Sequence, residues 1–265
     1  MSTRPVSAVV PPFLLLAGHP VRWRMLLELA GSDRQVHELT GVVGLTQGLV
    51  SYHLARLRAG GLVSSRKSSF DGRAVYYRVN LDQCGELLAA AGAALHPGLA
   101  STGTPTAPRR IGRARRRTKV LFVCTGNGAR SQMAEAILRE RASDRVEVVS
   151  AGSHPKPVHP NAIRVLAERG IDISRARSKQ IDEFRGHHFD YVITLCDKVR
   201  EICPEFPGPA RTMHWSIEDP SRASGSPRDT LPVFRALATD LESRIGFLTA
   251  LLDNEPIKEN ARHGR

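Results

Sequence analysis

Residues 119–133 read Lys-Val-Leu-Phe-Val-Cys-Thr-Gly-Asn-Gly-Ala-Arg-Ser-Gln-Met. Val120–Val123 is a short apolar run of the kind that forms a buried strand, and Met133, Ala134, Ile137 and Leu138 recur at helical spacing. Between them lies a loop: Cys124, Thr125, Gly126, Asn127, Gly128, Ala129, Arg130 and Ser131. A strand–loop–helix of this kind turns its backbone N–H groups inward as an anion nest at the positive end of the helix. A thiol placed there is expected to have a lowered pKa and to attack as thiolate. Gly126 and Gly128 allow the tight backbone. The Arg130 guanidinium suits a bidentate grip on a tetrahedral oxyanion, and Ser131 is placed to hydrogen-bond the thiolate when it leaves. The implied substrate is phosphate-like.

Downstream, Val146–Ser150 reads as a second strand, Asn161–Arg169 as a helix stopped by Gly170, Phe189–Leu195 as a third strand and Arg211–His214 as a short fourth. Leu231–Leu252 is a long amphipathic helix. Strands alternating with helices predict an α/β domain with a central parallel sheet. Ligand chemistry then belongs at the carboxyl ends of the strands, where both Cys124 and Cys196 fall. Asp219-Pro220, in a loop after the fourth strand, offers a carboxyl group to protonate a leaving oxygen. Cys196 and Cys203 lie seven apart after a strand and suggest a thiol relay. A regular helix advances about 10.5 Å over seven residues, whereas a disulfide needs Cα atoms roughly 4.4–6.8 Å apart. Any pairing of these two thiols therefore requires the segment to bend or unwind.

Cys124 to Arg130-Ser131, the Cys196/Cys203 pair, and Trp215 with Asp219-Pro220 together resemble the thioredoxin-coupled arsenate reductases over residues 118–250. The resemblance implies the low-molecular-weight tyrosine phosphatase fold and a defined order of events. Cys124 attacks arsenate held by the loop amides and Arg130, and Asp219 protonates the departing oxygen. Cys196 attacks Cys124 and arsenite leaves. Cys203 then attacks Cys196, presenting the disulfide to thioredoxin. Each transfer is ordinary thiolate exchange. No metal site and no organic cofactor are implied, although Asn127 and Glu135 match positions linked in some relatives to a potassium ion. The rival reading is a protein-tyrosine or small-molecule phosphatase, since the loop chemistry is shared. Two departures speak against it. Ala129 stands where such phosphatases often carry a second cysteine, and Ser221-Arg222, not tyrosines, follows Asp219-Pro220.

The 265 residues suit about two domains. Residues 1–117 hold 16 Lys+Arg against 6 Asp+Glu, and residues 118–265 hold 22 against 20. The basic first part points to nucleic acid. Four cysteines in so long a chain are too few for a disulfide scaffold and suit a reducing compartment. The early run Val6–Ala17 is broken by Pro11-Pro12 and is too short to span a bilayer. A cytoplasmic protein with no membrane partner is expected.

Within residues 1–96, His19–Ala30, Gln35–Val43 and Leu45–Ala59 read as three helices. In the third, Leu49, Val50, Leu54 and Leu57 are expected to face inward, and Thr46, Gln47, Ser51, Tyr52, His53 and Arg56 to face a major groove. Leu62–Lys67 and Ala74–Val79 alternate as a hairpin with Phe70–Arg73 at its tip. That is a winged helix, with Arg66, Lys67 and Arg73 placed for phosphates or a minor groove. Leu81–Leu95 is a closing apolar helix suited to pairing with a second copy.

The segments Leu45-Thr46-Gln47 through Ser51-Tyr52-His53-Leu54, Leu57 through Val63, and Val75 through Val79 resemble the ArsR family of winged-helix repressors over residues 15–95. The resemblance implies a homodimer on operator DNA released by a ligand. Arsenite-responsive members commonly carry a cysteine pair at the start of the helix before the recognition helix; here His37–Val43 has none. Residues 97–117 read as a tether, Pro- and Gly-rich at first and then with six arginines in 109–117 that suit DNA phosphates. Residues 118–265 form the reductase-like domain, ending in a polar tail.

Overall fold

The computed structural model describes residues 10–96, 99, 117–142 and 145–254; the tether and the polar tail otherwise lie outside the described residues. The chain forms two compact units, Met1–Ala114 with Met213–Ser216, and Arg115–Thr212 with Ile217–Arg265.

The first unit is mainly helical. Short α1 (Pro12–Ala17) precedes α2 (Pro20–Gly31), whose first turn is capped by His19 Nδ1 accepting from the Val21 amide at 3.2 Å. α3 (Val36–Val43) opens on a capping box between Gln35 and Glu38 and stops at Gly44, where a φ of 69° requires a left-handed residue. After a short turn comes α4 (Gln47–Ala59). The strands β1 (Arg34–Gln35), β2 (Val63–Lys67) and β3 (Val75–Val79) form a small sheet with β3 in the middle, antiparallel to both neighbours. At the hairpin tip, Ser68 Oγ accepts from the amides of Phe70 and Asp71, both at 3.1 Å. α5 (Leu81–Leu95) closes the unit, capped by Asn80. Met25, Leu29, Leu39, Val50, Leu54, Leu57 and Leu62 make the core. Truncating any of these leucines to Ala should cost about 2–5 kcal/mol.

The helix-turn-helix and wing stand where the periodicity puts them, but two faces of α4 differ from expectation. Leu49, expected inside, is 48% exposed, and His53, expected outside, is 7% exposed. Helical geometry gives the reason. His53 follows Val50 by three residues and precedes Leu57 by four, which places it within the buried arc, whereas Leu49 lies about 100° from Val50.

In the second unit, β4 (Thr118–Cys124) leads through the loop into α6 (Arg130–Ala142), and β5 (Val146–Gly152) leads toward α7 (Pro160–Ala167). β6 (Tyr191–Thr194), short α8 (Asp197–Ile202), β7 (Arg211–His214, whose last two residues are grouped with the first unit) and long α9 (Pro227–Asn254) follow. The sheet order is β5-β4-β6-β7, with β4 parallel to both β5 and β6. Val120, Leu121, Phe122 and Val123 are wholly buried, the mark of a strand covered on both faces. β4 and β6, adjacent and parallel, deliver their carboxyl ends, and so Cys124 and Cys196, to the same edge of the sheet.

Candidate active site

Cys124 is the last residue of β4 and is 2% exposed. Its sulfur lies 3.0 Å from Ser131 Oγ and accepts the Asn127 amide at 3.2 Å. The Asn127 amide thus points at the thiol, at the N-terminus of α6, a thirteen-residue helix whose dipole favours negative charge there. The loop's left-handed residue is Asn127, with φ 45°, and neither Gly126 nor Gly128 adopts such a conformation. Gly128 is required for another reason. A Cβ there would stand 2.8 Å from the Pro157 carbonyl. Gly152, at the end of β5, is equally confined, since a Cβ would lie 2.8 Å from both the Asn127 nitrogen and the Thr125 carbonyl.

Asn127 tolerates this backbone because its side chain is pinned. Its Nδ2 donates to Ser131 Oγ at 2.9 Å and to Ser150 Oγ at 2.8 Å, and its Oδ1 accepts from Gln132 Nε2 at 3.0 Å and the Lys179 amide at 2.8 Å. Ser150 Oγ in turn donates to Glu135 Oε2 at 2.5 Å. A buried chain Glu135–Ser150–Asn127–Ser131–Cys124 results. Ser150, Gln132 and Lys179 carried no motif that singled them out in the sequence. They join the site because β5 lies beside β4, with Ser150 in register with Phe122, and because the segment carrying Lys179 bonds the end of β5 through Gly152 N at 2.9 Å to Lys179 O.

Arg130 is buried, with Nη1 donating to the Ile217 carbonyl at 3.0 Å and Nη2 paired with Asp219 Oδ2 at 2.8 Å. Burial works to raise the Asp219 pKa, but the Arg130 charge and hydrogen bonds from Ser221 outweigh it and hold the carboxyl below its usual range. Asp219 also stands near His159, the N-cap of α7, whose ring stacks on Phe234 and is held below its ordinary pKa by burial, with the Asp219 charge opposing.

Cys196, 4% exposed, is the N-cap of α8, and its sulfur lies 3.2 Å from Thr125 Oγ1. Cys203 caps the other end of α8, and burial, with a contribution from Cys196, pushes its thiol up to about 11. Cys84, Cys124, Cys196 and Cys203 are all free thiols.

In the first unit, Thr46, Gln47, Ser51, Tyr52 and Arg56 lie exposed along α4, and Lys67 and Arg73 are exposed on the wing. Arg66 is half-buried, with Nη1 on the Lys67 carbonyl at 3.0 Å. His53 stands apart from this surface. Its ring packs 4.8 Å from that of His19, and burial, with His19 and Arg22 nearby, holds its pKa down. No described helix is long and apolar enough to cross a membrane.

Comparison with known proteins agrees with this architecture. The family model described as "Low molecular weight phosphotyrosine protein phosphatase" matches residues 119–260, and that described as "Bacterial regulatory protein, arsR family" matches residues 19–65. The chain belongs to the low molecular weight phosphotyrosine protein phosphatase family and carries an arsR-type helix-turn-helix ahead of that domain. Among its relatives, an arsenate reductase of Halalkalibacterium halodurans is 38% identical over 126 residues, 48% of this chain and 91% of the relative. An arsenate reductase of Bacillus subtilis is 36% identical over the same length and coverage. Among solved structures, an arsenate reductase in oxidized state aligns with 51% of this chain and 98% of its own at 35% identity, with a TM-score of 0.45.

Proposed function

We propose that the chain joins an operator-binding ArsR-type module to an arsenate reductase working through Cys124, Cys196 and Cys203. The observation that carries the reading is the Cys196 sulfur, 3.2 Å from the hydroxyl of Thr125, the residue next to the nucleophile. A phosphatase needs one thiol at the anion loop. A second thiol seated against that loop, with a third at the far end of the same short helix, supports disulfide transfer.

In this mechanism arsenate enters the Cys124 loop, and Arg130 exchanges its Asp219 partner for the oxyanion. Relieved of that positive charge and facing an anion, Asp219 takes up a proton and delivers it to the departing oxygen. The Cys124 sulfur bonds arsenic as water leaves. Cys196 thiolate then attacks Cys124 sulfur. The S–S bond forms, the As–S bond breaks with its electron pair going to arsenic, and arsenic(V) leaves as arsenite. Cys203 thiolate attacks Cys196, freeing Cys124, and a dithiol such as thioredoxin reduces the remaining disulfide. Ser131 and the Asn127 amide hold the Cys124 sulfur each time it becomes a thiolate.

For the first unit, the exposed polar face of α4 and the wing cations support binding of operator DNA. Leu14 and Leu15 of α1 and Leu88 and Leu95 of α5 are exposed, which supports a homodimer through these helices.

The test is arsenite release from arsenate by the full chain with thioredoxin, thioredoxin reductase and NADPH, with p-nitrophenyl phosphate hydrolysis in parallel. Sustained turnover by wild type and a single equivalent from Cys203→Ser is the expected result. Phosphoester hydrolysis that needs Cys124, with no arsenite formed, would replace the reductase by a DNA-tethered phosphatase.

A further inference from the structure

Asn127 and Glu135 are the positions that resemblance links to a potassium ion, and their oxygens can be checked one by one. Glu135 Oε2 accepts from Ser150 Oγ at 2.5 Å and pairs with Lys179 Nζ at 3.1 Å, and Oε1 pairs with Arg139. Asn127 Oδ1 accepts two N–H donors, and its carbonyl accepts from Ser178 Oγ at 2.9 Å. These oxygens already face protein donors, two of them on cationic side chains, so the residues do not fit an added cation.

We propose that Lys179 is itself the cation of this network: a tethered ammonium that neutralises Glu135 and so positions the Ser150–Asn127–Ser131 chain behind Cys124, making the loop independent of any alkali ion. Lys179 touches neither substrate nor the reacting sulfur and is a positioning residue. The inference rests on the reading of the Cys124 loop as the catalytic site.

Three observations carry it. Glu135 is buried, 6% exposed, and an ionised carboxylate there requires a counter-charge. Of its two cationic partners, Arg139 has a side chain 59% exposed, whereas that of Lys179 is only 16% exposed. Lys179 also cannot drift from its post. Its amide donates to Asn127 Oδ1 at 2.8 Å and its carbonyl accepts from Gly152 N at 2.9 Å, so the backbone beneath the ammonium is bonded to the network that the ammonium serves. An ammonium is a compact point charge with three donors, the closest side-chain substitute for a small monovalent ion.

The experiment compares the full-length wild type, Lys179→Met and Lys179→Arg in potassium, sodium and choline chloride at equal ionic strength, roughly 0.1 M, so that general screening is the same. Thermal unfolding midpoint and turnover are both read. Wild type is expected to give the same midpoint and turnover in all three salts. Lys179→Met should lose about 10–100-fold in turnover in choline chloride, the usual effect of losing an outer partner of a site, with a lowered midpoint, and potassium should restore both in part. Lys179→Arg, which keeps the charge, should show a flat response to salt identity. The inference is overturned if potassium specifically activates or stabilises wild type. It is also overturned if Lys179→Met matches wild type in choline, or is impaired equally in every salt, which would make Lys179 a packing residue. Where Lys179→Met does not fold in choline chloride, recovery by potassium supports the inference and no recovery overturns it. The unfolding measurement needs no arsenate. Absence of arsenite formation would therefore fail the functional reading without deciding the role of Lys179.

Discussion

Replacing Glu201 by glycine instead of alanine isolates the step on which the proposed thiol relay depends. Cys196 and Cys203 cap opposite ends of α8. A regular helix holds such residues about 10.5 Å apart, and a disulfide requires roughly 4.4–6.8 Å between Cα atoms, so α8 must open before these thiols join. A six-residue helix is well below the length of about 12–15 residues that is stable alone; it is held by burial of Val199. Glu201 is exposed on this helix. Glycine there costs about 1 kcal/mol of helix stability relative to alanine, and should raise the opened population about fivefold. The Cys203 thiol reports opening. With its pKa near 11, its thiolate fraction at pH 7.5 is about 1 in 3,000, against about 1 in 11 for an ordinary thiol. The roughly 300-fold contrast makes the opened form the main route of alkylation once it exceeds about 1 in 300 of the population, and the rate then scales with it. Iodoacetamide labelling of the fully reduced chain, quantified at the Cys203 peptide, should be about fivefold faster for Glu201→Gly than for Glu201→Ala. The linkage sign agrees. A thiol whose pKa is raised on folding contributes stability that is fully present below pH 9 and is lost as pH rises through about 11, so labelling of both variants should accelerate beyond simple thiolate formation in that window. Equal rates for the two variants would show that Cys203 is reached without opening α8, and the relay would lose its conformational step.

Asp219→Asn should lower turnover by about 10²–10⁴-fold, the usual worth of a general acid, while arsenate affinity changes little; an unchanged kcat removes Asp219 from proton delivery. Gly152→Ala should displace the loop by forcing a Cβ against Asn127 N and Thr125 O, both 2.8 Å away. Its cost, about 1–3 kcal/mol of stability, should be accompanied by near-complete loss of Cys124 reactivity toward iodoacetamide, and normal reactivity would refute the confinement. On the DNA side, Arg56→Ala should weaken operator binding and flatten its salt dependence, whereas His53→Leu should change the melting temperature and leave the sequence preference intact. A lost preference in His53→Leu would return that residue to the DNA surface.

What the sequence exposes and what it hides follow from how each partner reaches the site. Cys124, Arg130 and Ser131 are neighbours in the chain, and their chemistry is written in one loop between a legible strand and a legible helix. Cys196 is distant in sequence, yet β6 pairs with β4 in parallel, and the rule that ligands gather at strand carboxyl ends is enough to bring the two thiols to one edge. Ser150 and Lys179 obey no such rule. A serine inside a strand and a lysine in a connecting segment are ordinary residues until the register of β5 against β4 sets one beneath Asn127, and a backbone bond to Gly152 sets the other beside Glu135. His53 shows the same limit within one helix, where polarity pointed outward and a three-residue step from Val50 put it inside. Asn127 ties these cases together. The loop's left-handed turn falls on Asn127, and Gly126 and Gly128 lie outside that region, because an asparagine supplies what a glycine lacks: a side chain whose amide bonds Ser131, Ser150, Gln132 and the Lys179 backbone at once. The strain of that conformation, of order 1–3 kcal/mol, is sustained by partners from three separate stretches of chain. The geometry around Cys124 is thus a property of the assembled sheet, and substitutions at Ser150 or Lys179, far from it in sequence, should be felt at its sulfur.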